Sequence, residues 1–329
     1  MKGESLVGID VAARTLSVSG YRGKGVEVAE FENTAEGHKK LIRWAGKGGR
    51  RVRACLEATG VYHFELALAL HRHPRVEVMV ANPRATRHFA EAQMKRAKTD
   101  RVDRGVILDF LERMPFRPWT PPDQTVLELR AIARRVSALT DECSREKARR
   151  HSTSKVPSVG AVIENDIEVN IRHLDRRIEL LRAKAIELVQ SHETLNRRYE
   201  QLVSVKGIGE VSAIQILAEV TVLPDDMSSS QWVAHSGLDP VPKESGDRQK
   251  QRSISKRGNK YLRTALYMPA LVAIKYCPNV RSFYEDLLSR GKEKLRGVIA
   301  VMRKLLVAIW GMFKNNQMFA PEKFRRLTA

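Results

Sequence analysis

Cysteine is scarce and badly placed for chemistry. Cys55, Cys143 and Cys277 are the three in 329 residues, and none stands at the CxxC or CxxxH spacing of a zinc site or belongs to a dense disulfide framework. A reducing, cytoplasmic setting is expected. Long apolar runs are also missing: no stretch of about 18 residues is apolar enough to span a bilayer, and MKGESLVGID is too short an apolar start for a signal peptide. Neither export nor membrane insertion is expected. Acidic residues are in deficit, 38 against 58 Lys and Arg, which leaves a formal charge of +20. Such a surface draws polyanions and repels itself without one, so nucleic acid is the leading partner. The 43% of hydrophobic residues in a chain of this length suffices for two or three domain cores.

The charge is unevenly spread. Residues 1–105 carry 20 basic and 12 acidic side chains, residues 106–200 carry 17 and 15, and residues 201–329 carry 21 and 11. The two ends read as binding surfaces and the middle as a segment for protein contacts.

SLVGID, TLSVSGY and VEVAEF alternate as three short strands. A helix near EGHKKLIRWA, a fourth strand VRACLEA, a helix YHFELALALHRH and a strand VEVMVANP follow. The stretch from Arg84 to about Met114 is predicted mostly helical until FRPWTPP stops it. Antiparallel strands followed by crossover helices and parallel strands predict an α/β sheet of the ribonuclease H type over residues 1–118. From Gln124, Leu129, Ile132, Val136, Leu139 and Cys143 recur at three-four spacing, and Ile163 to Leu188 repeat it after HSTSKVPSVG. A coiled-coil helical hairpin is therefore predicted over residues 119–195. Residues 196–329 read as a mainly α-helical domain, interrupted by a polar loop from Asp239 to Ser255.

Four carboxylates stand out. Asp10 ends the first strand, Glu57 ends the fourth, and Asp100 and Asp103 lie three apart, on one face of a helix. In a ribonuclease H-type sheet the first and fourth strands are neighbours, so Asp10 and Glu57 would meet at one end. Clustered carboxylates repel unless cations lie between them, and hard oxygen ligands suit Mg²⁺. Taken singly, each is equally a turn cap, a partner for a neighbour such as Arg53, or decoration on a solvated helix. Only their joint placement points to a metal site.

Lys206, Gly207 and Gly209 of SVKGIGEVSA precede a helix whose free N–H groups suit a phosphate, although a plain turn explains them as well. The segment KESGDRQKQRSISKRGNKYLR, residues 243–263, holds eight basic and two acidic residues. Its basic members are Lys243, Arg248, Lys250, Arg252, Lys256, Arg257, Lys260 and Arg263. It also holds Ser245, Ser253 and Ser255; a serine beside Arg or Lys is a candidate nucleophile on phosphorus, and a random surface serine is the alternative for each. Arg84, Arg87, His88, Lys95, Arg96 and Lys98 precede the aspartate pair and would line the approach to the acidic site, a solvated helix face being the alternative, and Arg101 is a further candidate for nucleic-acid binding. His235 and Ser236 read as packing or capping residues.

GIDVAARTLSV, FENTAEGHKKL, CLEATGVYH, VANPRATRHFA and KTDRVDRGVIL together resemble the RuvC-like DEDD half of the insertion-sequence 110 (IS-110) transposases, a family that also resembles the Piv invertases. SVKGIGEVSA, AHSGLDPVPKESG, ISKRGNKYLRTALYMPALVAI and RSFYEDLLSRGKEKLRGVIAVMRKLL resemble that family's transposase domain, in the same order. The resemblance implies an acidic quartet of Asp10, Glu57, Asp100 and Asp103 and a catalytic serine at Ser245. Two departures are Arg104, where the family often has a small residue, and Glu244-Ser245, where it often has two serines. Also implied are a noncoding bridge RNA that pairs with donor and target DNA, and dimers that pair into tetramers. The absence of any helix-turn-helix reading face, zinc finger or RRM signature fits sequence choice by base pairing. A RuvC-type nuclease using water, and a non-catalytic RNA- or DNA-binding protein, are the rival readings.

Overall fold

The computed structural model describes residues 4–22, 25–58, 60–93, 100–155, 160–245 and 248–325; for Arg22 and for residues 100–104, 242–245 and 248–252 it describes the backbone alone. The chain forms two compact units, residues 1–121 and 122–329.

In the first unit, β1 (Glu4–Val11), β2 (Thr15–Arg22) and β3 (Gly25–Glu32) form an antiparallel meander. Then come α1 (Ala35–Ala45), β4 (Arg51–Glu57), α2 (Phe64–His71), β5 (Val76–Ala81), α3 (Pro83–Ala92) and α4 (Asp100–Arg113). The strand order is β3-β2-β1-β4-β5, with β4 parallel to both β1 and β5. The expected neighbourhood of the first and fourth strands is therefore present. Period-two alternation divides the side chains between two faces. Val7, Ile9, Val11, Ala54 and Leu56 pack with Leu41 of α1 and Leu66 and Leu70 of α2. Cys55, Met79 and Ala81 pack on the other face with Ile107, Phe110 and Leu111 of α4. A mixed sheet thus lies between two helical layers. α3 begins where expected, because Asn82 accepts the N–H of Arg84 at 2.9 Å and Pro83 occupies the first turn.

The second unit opens with α5 (Gln124–Thr153) and α6 (Ala161–Gln190), 30 residues each and so about 45 Å long at 1.5 Å per residue. They pack antiparallel: Arg150 pairs with Glu168 at 2.6 Å, and Cys143 donates to Asp175 at 3.2 Å. Val136, Leu139 and Cys143 meet Ile167, Ile171, Leu174 and Ile178 along the seam. Then follow α7 (Glu193–Val203), α8 (Glu210–Val220), α9 (Ser229–Ser236), β6 (Pro240–Ser245), β7 (Arg248–Ile254), α10 (Lys260–Tyr276), α11 (Pro278–Ser289) and α12 (Lys294–Asn315). The core of these helices takes in Val126, Leu129 and Ala133 of α5 and Ala185 and Val189 of α6, so the long hairpin is rooted in it.

One expectation is corrected. The polar loop predicted from Asp239 to Ser255 is a two-stranded antiparallel hairpin, β6-β7, with Ser245 opposite Arg248 and a register shift between Val241 and Lys243. Its strands carry little apolar alternation, so periodicity was silent. The two-residue link Gly246-Asp247 was the available signal.

Candidate active site

Parallel pairing of β1 with β4 runs to Ile9 opposite Leu56, which makes Asp10 and Glu57 the next residues on neighbouring strands. Both project, by strand alternation, toward the face that α4 covers. Asp10 is exposed and Glu57 half-buried. Thr86 of α3, itself buried, donates its hydroxyl to Glu57 Oε2 at 2.6 Å. Arg53 does not pair with Glu57; it bonds Glu77 at 2.9 Å and lies 3.4 Å from Glu4. Burial, and after it the charge of Glu57, push the Cys55 thiol up to about 12, so its sulfur is a neutral packing group.

The path of α4 follows from two contacts. Gly8 meets the backbone of Leu108 so closely that a Cβ there would lie 2.5 Å from the Leu108 nitrogen; only glycine fits. Four residues on, Glu112 accepts the hydroxyl of Tyr21 at 2.8 Å, beside the early part of β1. The helix therefore runs antiparallel to β1, with its first turn directed toward the strand's C-terminal end. From Leu108 back to Asp103 is about 7.5 Å of helix, and from Gly8 on to Asp10 about 7 Å of strand, so the two backbones reach similar levels. The side chains of Asp100 and Asp103 lie outside the described residues, as does Lys98. Among the described residues no three His, Cys, Asp or Glu side chains are grouped to hold a metal.

Ser245, with Lys243, Arg248, Lys250 and Arg252, belongs to the backbone of the β6-β7 hairpin. The base of that hairpin is firmly tied: Ser255 N–H donates to Asp239 O at 2.9 Å, Lys256 N–H to Gly237 O at 3.1 Å, and Asn259 N–H to His235 O at 2.7 Å. Arg263 donates to Ser236 O at 2.7 Å.

Residues 7–153 match the DEDD domain family of IS110, described as a transposase, and residues 199–285 match the transposase IS116/IS110/IS902 family. The chain belongs to the IS110 family of transposases. The pilin gene-inverting protein of Moraxella bovis is 26% identical over 322 residues, 96% of this chain and 98% of that protein. The probable family 20 transposase of Pseudomonas aeruginosa is 29% identical over 158 residues, 46% of each chain. This is a DNA-rearranging enzyme, and the DEDD character of its first domain implies a divalent metal. Among the described residues, no helix of the transposase is long and apolar enough to cross a membrane.

The remaining expected contacts of the transposase are scattered. Arg87 and His88 both engage Glu91 on their own helix, at 3.0 and 3.2 Å. Arg101 lies in the first turn of α4, described by backbone only. Lys206 and Gly209 are exposed at the turn into α8. Gly207 has φ +117°, and a Cβ on it would sit 2.8 Å from Pro269 O; packing against α10 accounts for this glycine. Lys260 lies over the Tyr261 ring, 5.1 Å from its centroid, and Lys256 has φ 52°. Arg257 donates its N–H to the Ser255 hydroxyl at 3.4 Å.

Residue patterns missed a buried charge network. Glu219 of α8, 1% exposed, accepts from Arg134 at 2.7 and 3.0 Å, from Arg130 at 3.2 Å and from Asn259 at 2.6 Å. Burial opposes its charge, but the bonds from Arg134 and Asn259 and the fields of both arginines outweigh that and hold its carboxyl below the usual range. His235 approaches Asn259 at 3.4 Å; burial first, then Arg130, lowers its pKa and keeps the ring neutral near pH 7. Asn259 also caps α10 through the N–H groups of Tyr261 and Leu262. Ser236 is fully buried and donates to Val233 O at 2.7 Å, as a packing residue does.

Proposed function

We propose that this transposase is an RNA-guided DNA recombinase that holds Mg²⁺ with Asp10, Glu57, Asp100 and Asp103 and uses Ser245 as its nucleophile. The observation that carries the reading is the adjacency of Asp10 and Glu57 on neighbouring parallel strands, on the face where α4 approaches. The strand order β3-β2-β1-β4-β5 supports a ribonuclease H/RuvC-like domain over residues 1–118, followed by a coiled-coil arm over 119–195 and the serine-bearing domain over 196–329. The donor set fits a hard cation, since the proposed ligands offer carboxylate oxygens only. When bound, the ion supplies positive charge against the charge that builds on the scissile phosphate.

The chain's own residues do the rest. Ser245 Oγ attacks phosphorus and loses its proton to solvent. The bond from phosphorus to the 3′ oxygen breaks, and that oxygen leaves with a proton as a free hydroxyl. The 5′ side stays esterified to serine, so the energy of the broken bond is kept. Attack by the 3′-hydroxyl of an exchanged strand on this phosphoserine forms the new phosphodiester and returns a proton to Ser245. Lys98, Arg101, Lys206, Lys243, Arg248, Lys250, Arg252, Lys256, Arg257, Lys260 and Arg263 grip phosphates of donor DNA, target DNA and bridge RNA without reading bases. Two protomers, pairing further into a tetramer, assemble the sites.

A reaction stopped with denaturant tests the chemistry. Wild-type protein leaves DNA covalently attached at Ser245, Ser245→Ala neither cuts nor forms the adduct, and Ser236→Ala does both. Cutting by Ser245→Ala with no adduct from wild type would mean that water attacks, as in a RuvC-type nuclease. Activity indifferent to metal would point to an architectural binding protein.

A further inference from the structure

The motif FENTAEGHKKL has so far no place in the reaction. Its asparagine, Asn33, lies in the turn between β3 and α1, and its single amide reaches the two segments that follow the strands carrying the acidic pair. Asn33 Nδ2 donates to Ala12 O at 2.9 Å and to Tyr62 O at 3.1 Å. Ala12 is two residues beyond Asp10, and Tyr62 is five beyond Glu57. The Asn33 backbone N–H adds a bond to Arg14 O at 2.9 Å, tying the end of β3 to the turn that follows β1.

This bridge stands where the direct pairing of β1 with β4 stops. Ladder pairing of β1 with β4 ends at Ile9 and Leu56, one residue short of the carboxylates. Asp10 is still paired with Ser17 of β2 and Glu57 with Ala81 of β5, but among the described residues no backbone pairing joins β1 directly to β4 beyond that point, so the separation of the two strand ends is left to contacts that span them. The orientation of the amide follows from its partners: two carbonyls accept only from the NH₂ end, which turns Oδ1 toward His38. His38 Nε2 lies 2.8 Å from Oδ1, on a ring 5% exposed in α1. Since Oδ1 can only accept, His38 donates from Nε2. The histidine thus aims the amide, and the amide spans the two chain segments leaving the site.

We propose that Asn33 is a positioning residue for the metal site, holding the segments after Asp10 and Glu57 at a fixed separation, with His38 orienting its amide. The proposal rests on the reading of Asp10 and Glu57 as metal ligands. Groups that orient ligands typically affect metal affinity by about 10- to 100-fold when removed.

The test titrates the full-length protein with Mn²⁺, a spectroscopic stand-in for Mg²⁺, and melts each variant in EDTA and in saturating Mn²⁺. Asn33→Ala is expected to weaken Mn²⁺ binding about tenfold and to shrink the metal-induced rise in melting temperature. His38→Leu, close in size but without a donor, does the same in smaller measure. His38→Gln, whose amide can donate to Asn33 Oδ1, restores wild-type affinity; a merely structural role would lower the EDTA melting temperature and leave the increment unchanged. Where Asn33→Ala does not fold, the contrast between His38→Leu and His38→Gln decides. Asp10→Asn separates the two ideas. If it binds Mn²⁺ like wild type, the metal-site reading falls and takes the proposal with it. If Asp10→Asn loses the ion while Asn33→Ala and His38→Leu bind it like wild type, the positioning role alone is overturned.

Discussion

Arg134 and Glu219 form a two-pronged ion pair, 2.7 and 3.0 Å, between the long helix α5 and the buried helix α8. The carboxylate is almost wholly enclosed, whereas Arg134 keeps about a third of its side chain in solvent. Through Asn259 the same carboxylate reaches the base of the hairpin that carries Ser245.

Removing Glu219 leaves two arginines beside an emptied, low-dielectric space. Glu219→Ala is expected to cost about 3 kcal/mol in denaturant unfolding, at the low end for breaking a buried pair because both arginines retain water contact. The sign with pH follows from the lowered pKa. The contribution is complete above the ordinary carboxyl value of 4.5 and is lost as pH falls through the lower folded value. A Glu219→Gln protein should therefore lose less stability than wild type as pH falls from about 5 through the lowered folded value, measured as the unfolding midpoint against pH.

Asp10→Asn, Glu57→Gln, Asp100→Asn and Asp103→Asn should each abolish strand cleavage while DNA binding stays within a few-fold of wild type. Each removes a metal ligand and none removes a basic group. Cleavage assays in Mg²⁺ beside binding isotherms measure both. Full cleavage by two of the four variants would end the quartet assignment.

Recombination should require a cognate RNA that co-purifies as a discrete species. Binding of both RNA and DNA should weaken steeply between 50 and 200 mM salt, about 10³-fold or more if six phosphates are contacted, because Lys and Arg contacts release counterions. Sequence-specific recombination surviving complete RNA digestion would refute guidance.

The acidic site of one protomer should act with Ser245 of another. A mixture of Asp10→Asn and Ser245→Ala proteins then contains heterodimers with one intact composite site, and it should form a covalent adduct on a single strand although each parent is inactive. A mixture as dead as its parents, with heterodimers demonstrated by tagged pull-down, would place both motifs in one chain.

Much of the molecule was legible along the chain. The strands β1 to β5 announced themselves by alternation, and the helices α5 and α6 by apolar residues at three-four spacing. Asp10 and Glu57 were readable because a carboxylate in the last residues of a strand has a fixed face and level once the strand order is known. The β6-β7 hairpin escaped because its sequence is mostly polar, which leaves no apolar period to detect.

What the sequence determined by itself was therefore which segments bury a face, where chemistry-bearing residues fall on them, and how positive the surface must be. What only the tertiary structure decided was who meets whom. Thr86 binds Glu57, 29 residues away; Asn33 spans Ala12 and Tyr62; Glu219 gathers Arg130 and Arg134 from α5 and Asn259 from the cap of α10. The physical reason is that periodicity reports the free energy of hiding apolar surface, which depends on a residue's own face. A hydrogen bond depends on the position of two side chains to within a few tenths of an ångström, and packing sets that position only when the helices and the sheet come together.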